Sequence, residues 1–140
     1  MRPAKNHKKA RVVPCGVALI LRGREFLIAQ RNAEDTLGSF WEFPGGKRER
    51  GETFEQCVAW EVLEELGVRV EVGKKFMDVR KKYKDRVIWL NFYFCAHVSG
   101  DPKPLDCQQV LWTDISSLKD YKFPPANDVV IQRLMESFSG

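Results

Sequence analysis

Residues 53–67 are predicted to form one amphipathic α-helix, and this feature constrains the fold more than any other part of the sequence. Thr53 is a good helix N-cap, and Gln56 three residues later completes a capping-box pattern. Gly67 suits the left-handed turn that ends many helices. Apolar residues recur at helical spacing; they are Val58, Ala59, Val62, Leu63 and Leu66. We therefore expect one side of this helix to be anchored in a core.

The opposite side of the predicted helix carries three glutamates. Glu61 and Glu65 are four residues apart, and Glu64 lies three residues after Glu61, so the three carboxylates share one face. Like charges this close destabilise a helix unless something neutralises them. Mg²⁺ prefers carboxylate oxygens and often bridges to substrate phosphates. The pattern therefore favours a divalent-metal site over an ordinary solvated helix face.

The rest of the chain is mostly strand-like, without a regular alternation of strands and helices. The predicted elements are strands at 12–22, 25–31, 68–72, 76–83, 86–98 and 109–112, a short aromatic segment at 40–43 stopped by Pro44–Gly46, a helical turn at 115–118 and a terminal helix at 127–138. Such a mixture predicts an α+β domain whose mixed sheet is covered by helices. No linker or repeat divides the chain, so residues 1–140 are expected to form a single domain.

Composition excludes several classes of protein. No apolar run is long enough to cross a bilayer, and the stretch 12–21, interrupted by Pro14 and Gly16, lacks the cleavage site of a signal peptide. The four cysteines form no C-x-x-C pair, which is typical of reduced thiols in the cytosol, so a cytoplasmic location is expected. The net charge of +4 comes largely from residues 1–11, which we interpret as a flexible basic terminus in preference to a nucleic-acid arm.

The segment from Gly46 to Val68 resembles the Nudix box, G-x5-E-x7-R-E-U-x-E-E-x-G-U, in which U is a bulky apolar residue. Trp60 stands at the arginine position. The matching residues are Gly46, Glu52, Glu61, Val62, Glu64, Glu65, Gly67 and Val68. The segments 41–47 (WEFPGGK) and 123–127 (FPPAN) are similar to the MutT branch of this family, and the similarity extends from about Val12 to Leu134.

The resemblance implies both a fold and a reaction. The fold would be an α/β/α sandwich around a mixed sheet. The reaction would be Mg²⁺-dependent hydrolysis of a nucleoside triphosphate, such as 8-oxo-dGTP, to monophosphate and pyrophosphate, with water attacking the β-phosphorus and Mn²⁺ as the alternative metal. Physical chemistry agrees, because phosphoryl transfer depends chiefly on positioning and charge neutralisation. The implied partner is a small nucleotide, with no membrane and no stable nucleic-acid complex, and the chain would be a monomer or homodimer.

The resemblance also implies a metal-binding and catalytic set. The metal ligands would be the carbonyl of Gly46 with Glu61, Glu64, Glu65 and Asp106, of which Glu61, Glu64 and Asp106 are also the predicted catalytic residues. The general base would be either Glu61 or a loop carboxylate. Asp106 is the loop candidate, because Asp-x-Gln-x-x-x-Trp at 106–112 resembles the branch's Glu-x-Gln-x-x-x-Trp, although aspartate is shorter.

Glu52 is expected to have an outer-shell role, or to act as an acid that stabilises the helix N-terminus through the helix dipole.

Four residues are candidates for nucleotide binding by the same resemblance. Asn127 would hydrogen-bond the purine edge, since an amide offers both a donor and an acceptor; its alternative role is a helix N-cap. Arg31 and Arg86 match positions near the nucleotide, and are otherwise ordinary arginines at strand ends. Phe43 would either stack on the base or pack in the core.

Trp60 is the main departure from the family pattern. An indole donates one hydrogen bond and carries no charge, so it cannot replace the arginine that orients a catalytic glutamate. Either the site works with looser geometry or a substitute cation from Lys47, Arg48 or Arg50, or the chain is a weakened member that only binds nucleotides. Because every carboxylate of the box remains, we favour activity.

Two other functions stay open at the level of sequence. One is a pyrimidine preference within the same reaction, for CTP or 5-methyl-dCTP. The other is a module that binds an oxidised base in DNA without hydrolysis.

Overall fold

The strands of the computed structural model, which describes residues 11–138, form one seven-stranded mixed sheet. The elements in chain order are β1 (Arg11–Arg22), β2 (Glu25–Gln30), β3 (Trp41–Glu42), β4 (Gly45–Lys47), α1 (Phe54–Leu66), β5 (Arg69–Lys82), β6 (Arg86–Ser99), β7 (Gln109–Asp114), 3-10 helices at Ile115–Asp120 and Pro125–Asn127, and α2 (Asp128–Phe138). The main strand order is β3-β2-β1-β6-β5, with β4 paired to β1 and β7 paired to β2. Only the β1–β6 pair is parallel within this sheet of described residues.

Each face of the sheet is covered by one of the two α-helices. Successive residues of a strand point to opposite faces, and β1 shows this directly. Ala18 and Ile20 belong to the core cluster that includes the apolar side of α1, whereas Val17 and Leu19 belong to the cluster that includes α2. The predicted α+β class and α/β/α sandwich are thus confirmed.

The structure joins two predicted strands into one. Strands were predicted at 68–72 and 76–83, but β5 is continuous and pairs antiparallel with β6. The pairing register shifts between Val72 and Lys75 and again between Lys75 and Met77, so the strand continues through irregularities around Gly73. From local sequence, Gly73 indicated a break between two strands. Pairing with the long strand β6 keeps the segment extended.

Other differences are small and concern element ends. Pro44–Gly46 was predicted to stop the short aromatic segment 40–43, but Gly45–Lys47 forms β4, because these residues pair with β1. Arg11, predicted to belong to a flexible terminus, begins β1; residues 1–10 lie outside the described part of the chain. No helix in the described part is both long and apolar enough to span a membrane.

Candidate active site

Both ends of α1 are fixed by the residues that the sequence singled out. The Thr53 hydroxyl accepts a hydrogen bond from the backbone N–H of Gln56 at 3.0 Å, and the Gln56 side chain accepts one from the Thr53 N–H at 2.9 Å. Gly67 has φ 69° and its N–H donates to the Leu63 carbonyl. The predicted capping box and left-handed C-terminus are therefore confirmed, and they set the length of the helix that carries the three glutamates.

The buried side of α1 is rotated slightly from the predicted one. Cys57, Val58, Val62 and Leu66 are buried, whereas Ala59 and Leu63, which were predicted to be core residues, are only half-buried. The rotation follows from contact with β1, because a Cβ at Gly16 would lie 2.8 Å from a Val58 methyl and 3.3 Å from the Cys57 sulfur. The glycine lets the helix approach the sheet closely.

Gly46 and Glu61 meet at the base of the candidate site. Gly46 in β4 pairs with Gly16 in β1, which holds the β4 backbone beside α1. A Cβ at Gly46 would lie 2.6 Å from Cδ of Glu61, so only glycine leaves room for this carboxyl group. The site thus brings together two of the predicted metal ligands from segments 15 residues apart in sequence (61 − 46).

The Gly46 carbonyl is held from the helix side by a thiol. Burial raises the pKa of Cys57 to about 11, so the thiol is protonated at neutral pH. Its Sγ donates to the Gly46 oxygen at 3.5 Å. Such a bond is weak, but it comes from a fully buried residue and helps to fix the direction of the carbonyl.

The carboxyl groups of Glu61 and Glu65 interact directly. Burial raises the pKa of both groups, and a hydrogen bond between the two side chains raises that of Glu65 while it lowers that of Glu61. Glu64, Glu52 and Glu49 add repulsion that raises the Glu61 pKa further. Burial and mutual repulsion thus disfavour a state in which both carboxyl groups are charged, and a neutralising cation would favour it.

This donor set fits a divalent cation by its chemistry. The oxygens of Glu61, Glu64, Glu65 and the Gly46 carbonyl are the hard ligands that Mg²⁺ prefers. Within residues 11–138, no three His, Cys, Asp or Glu side chains are already arranged as a metal cage. A cation bound there would compete with the proton on the Glu61 and Glu65 carboxyl groups.

Positive charge near these glutamates is sparse. Trp60 is 52% exposed and carries no charge. Of the substitute cations, Arg48 stacks over the Phe54 ring at 4.3 Å, and neither it nor Lys47 or Arg50 forms an ion pair with a carboxylate in the described chain. No ion pair in the described chain therefore supports the hypothesis that one of these cations replaces the arginine missing at position 60.

Glu52 closes the loop before α1. Its carboxylate accepts a hydrogen bond from the Glu49 N–H at 2.8 Å, and its charge contributes to the raised pKa of Glu61. This location is next to the acidic face, as an outer-shell role requires; the role itself stays a prediction.

A second wall of the site is formed by Glu42, which sequence reasoning missed. Its Oε1 accepts a hydrogen bond from Nη1 of Arg31 at 2.9 Å, while Nε of Arg31 donates to the Thr36 carbonyl at 2.8 Å. Burial raises the pKa of Glu42, and the Arg31 hydrogen bond opposes that rise. A small polar cavity of about 280 Å³ is lined by Arg31, Glu42, Glu65 and Asp106 among others, so the exposed Asp106 does reach the acidic region.

A larger and more apolar cavity of about 380 Å³ begins beside Gly46. Asn127 lines it and is 8% exposed, and its amide nitrogen donates to the Pro124 carbonyl at 3.2 Å. Asn127 directly precedes α2, which begins at Asp128, but the hydrogen bond of its side chain runs to Pro124 and does not cap that helix. Phe43 also lines the cavity, although it is buried among Phe26, Phe92 and Phe123 and serves as a core residue too.

The two arginines predicted near the nucleotide differ in their placement. Arg31 lines both cavities. Arg86 lies at the turn between β5 and β6, where it pairs with Asp85 at 3.1 Å and stacks on Tyr83, and it is not among the residues that line the larger cavity. Lys81 and Tyr83 line that cavity instead. Lys81 lies near the end of β5 and Tyr83 directly follows the strand, so alternation along the chain signals them only weakly.

Comparisons with known proteins agree with this geometry. The model of the NUDIX domain matches residues 16–133. The 8-oxo-dGTP diphosphatase of Escherichia coli K12 is 36% identical over 110 residues, which cover 79% of this chain and 85% of that protein. The CTP pyrophosphohydrolase of the same organism is 29% identical over 118 residues, or 84% and 87% of the two chains. The solution structure of the E. coli ORF135 protein superposes with a TM-score of 0.84 at 26% identity and covers 93% of both chains.

Proposed function

Since the chain belongs to the Nudix family and is a hydrolase of that family, we propose that it is a Mg²⁺-dependent nucleoside triphosphate pyrophosphohydrolase. The substrate would be 8-oxo-dGTP or a related oxidised or surplus nucleotide, and the products a monophosphate and pyrophosphate. The observation that carries the proposal is the contact of Glu61 with Gly46, because Glu61 also interacts with Glu65 and Gly46 lines the same cavity as Asn127. The acidic residues and the cavity of about 380 Å³ therefore adjoin at Gly46.

The acidic end of the site provides the reaction centre. Glu61, Glu64, Glu65 and the Gly46 carbonyl would hold a divalent cation, which when bound would neutralise phosphate charge and make a water molecule more acidic. Glu61 or Asp106 then takes the proton of the water that attacks the β-phosphorus. Asp106 is supported as the loop candidate because it lines the small cavity together with Glu42 and Glu65, despite its shorter side chain.

The other end of the site selects the base. Asn127 offers an amide that can both donate and accept, and its position in the wall of the larger cavity suits the edge of an oxidised guanine. Arg31 fixes the segment 32–39 through the Thr36 carbonyl and bridges to Glu42. Through these contacts Arg31 orders the loop between the base cavity and the acidic cavity.

A pyrimidine preference is the second candidate. It is favoured by the CTP pyrophosphohydrolase relative, whose match covers 84% of this chain. The same acidic set would serve either base, so the choice depends on the larger cavity alone.

Steady-state kinetics over a panel of nucleotides distinguishes the two substrates. We expect Mg²⁺-dependent pyrophosphate release with the highest kcat/KM for 8-oxo-dGTP. A higher kcat/KM for CTP or 5-methyl-dCTP would replace the purine proposal by the pyrimidine one, and no release from any nucleotide by the folded protein would contradict both. Hydrolysis in ¹⁸O-water locates the attack, because β-attack labels pyrophosphate and α-attack labels the monophosphate.

A further inference from the structure

We propose that the first residues of β5, together with Trp60 of α1, form a docking surface for a second copy of this chain. β5 is the last strand in the sheet order, and no described strand pairs with its outer edge. An unpaired edge offers a row of backbone donors and acceptors that can add another strand. We call residues 69–72 the edge segment.

The charges along β5 restrict docking to the edge segment. Beyond Gly73 the strand exposes a series of basic side chains, which is a common protection of strand edges against association. These side chains are Lys74, Lys75, Arg80, Lys81 and Lys82. The edge segment contains no lysine and has one positive, one negative and two apolar residues. It is therefore the part of this edge that the basic side chains leave unprotected.

An exposed apolar surface lies beside the edge segment. A shallow depression is lined by Gln56, Ala59, Trp60, Leu63, Arg69 and Val70. The Trp60 ring is 52% exposed, although tryptophan is usually well buried in folded proteins. Aromatic residues are enriched at protein interfaces, where they bury a large area. The depression and the free strand edge thus form one continuous surface that suits a protein partner.

The charge pattern of the edge segment fits a copy of itself. In an antiparallel pair about a two-fold axis at Val70, Arg69 of each copy lies opposite Glu71 of the other. An axis at Arg69 or at Glu71 places like charges opposite each other, and an axis at Val72 brings Arg69 opposite Lys75. Opposite charges directly across a strand pair stabilise it, and like charges destabilise it. Of the four axes centred on this segment, only that at Val70 is complementary.

This register also keeps the basic side chains apart. Position 74 of one copy would face position 66 of the other (74 + 66 = 2 × 70), which is the last residue of α1 and lies outside the strand. Trp60 of both copies would lie on the side of the joined sheet that carries α1, beside the paired Val70 residues. Trp60, which stands at the arginine position of the Nudix box, would then cover the contact between the two copies.

Sedimentation equilibrium of the full chain over a concentration series tests this surface. We expect a reversible monomer–dimer equilibrium. Arg69→Glu or Glu71→Arg alone should weaken dimerisation about tenfold or more, because each reversal makes two symmetry-related pairs repulsive. The double swap of Arg69→Glu with Glu71→Arg restores the opposite-charge pairs and should recover the wild-type Kd. Trp60→Ser should also weaken the dimer.

Lys82→Glu is the matched control, because it reverses a charge on the same strand far from the two-fold axis. It should leave the Kd unchanged. A wild-type chain that stays monomeric at the highest concentration measured overturns the proposal. A dimer that tolerates both single reversals, or that the double swap fails to restore, overturns it as well, since another surface would then hold the copies together.

Discussion

Replacing Gly46 by alanine tests how closely the site depends on the approach of β4 to Glu61. The added Cβ would lie 2.6 Å from Cδ and 3.1 Å from Cγ of Glu61. Carbon atoms that are not bonded prefer about 3.5–4.0 Å, so the carboxyl group must move by about 1 Å. A displacement of about 1 Å at a reacting centre costs about 100-fold in rate, or roughly 2.7 kcal/mol of transition-state stabilisation.

The assay is pyrophosphate release from the preferred nucleotide at saturating Mg²⁺, with thermal denaturation measured on the same samples. Gly46→Ala should lower kcat/KM strongly and the melting temperature little, because the backbone at Gly46 does not have the positive φ that only glycine tolerates well. Gly23→Ala is the matched control: Gly23 has φ 63° in the turn after β1, with no atom within 4 Å of the added Cβ. It should cost stability and leave kcat/KM unchanged. A Gly46→Ala enzyme as active as the wild type would show that the site does not need the close approach of β4 to Glu61.

Three further substitutions test the N-terminal cap of α1, the tryptophan at the arginine position of the Nudix box, and the selection of the base. Thr53→Ala removes a side-chain cap and should lower the free energy of unfolding by about 1 kcal/mol in urea denaturation; no change would mean that the cap is not stabilising. Trp60→Arg should raise kcat, because a guanidinium can pair with a nearby carboxylate in the acidic face; an unchanged or lower rate counts against that role. Asn127→Ala should lower kcat/KM for the purine substrate about tenfold through a lost hydrogen bond. An equal loss for purine and pyrimidine nucleotides would show that Asn127 does not select the base.

The parts of the structure that follow from local sequence were predictable. The capping box of Thr53 and Gln56 and the turn at Gly67 depend on residues only a few positions apart, and they determine where α1 begins and ends. The shared face of Glu61 and Glu65 follows from the same helical period. These features identify the acidic face without knowledge of the sheet.

The parts that depend on long-range pairing were not predictable in the same way. Gly46 lies against Glu61 because β4 pairs with β1. From sequence, the glycines at 45 and 46 indicated only the end of the aromatic segment before them. Glu42 meets Arg31 because β2 and β3 pair across the intervening loop, with Ala29 opposite Glu42. Arg86 was predicted to lie near the nucleotide only because its position matches one in the MutT branch. The lengths of β5 and β6 place it at the turn that joins these strands. In each case the register of distant strands decides which side chains meet.

A divalent cation is expected to act through the acidic face of α1. A Mg²⁺ titration of pyrophosphate release tests it most directly when wild type is compared with Glu64→Gln and with Glu55→Gln, an identical change on the exposed first turn of the same helix. We predict that release requires Mg²⁺, that Glu64→Gln abolishes it or shifts the Mg²⁺ requirement to much higher concentration, and that Glu55→Gln titrates like the wild type. Release without a divalent cation, or a Glu64→Gln enzyme with the wild-type titration curve, would contradict the claim.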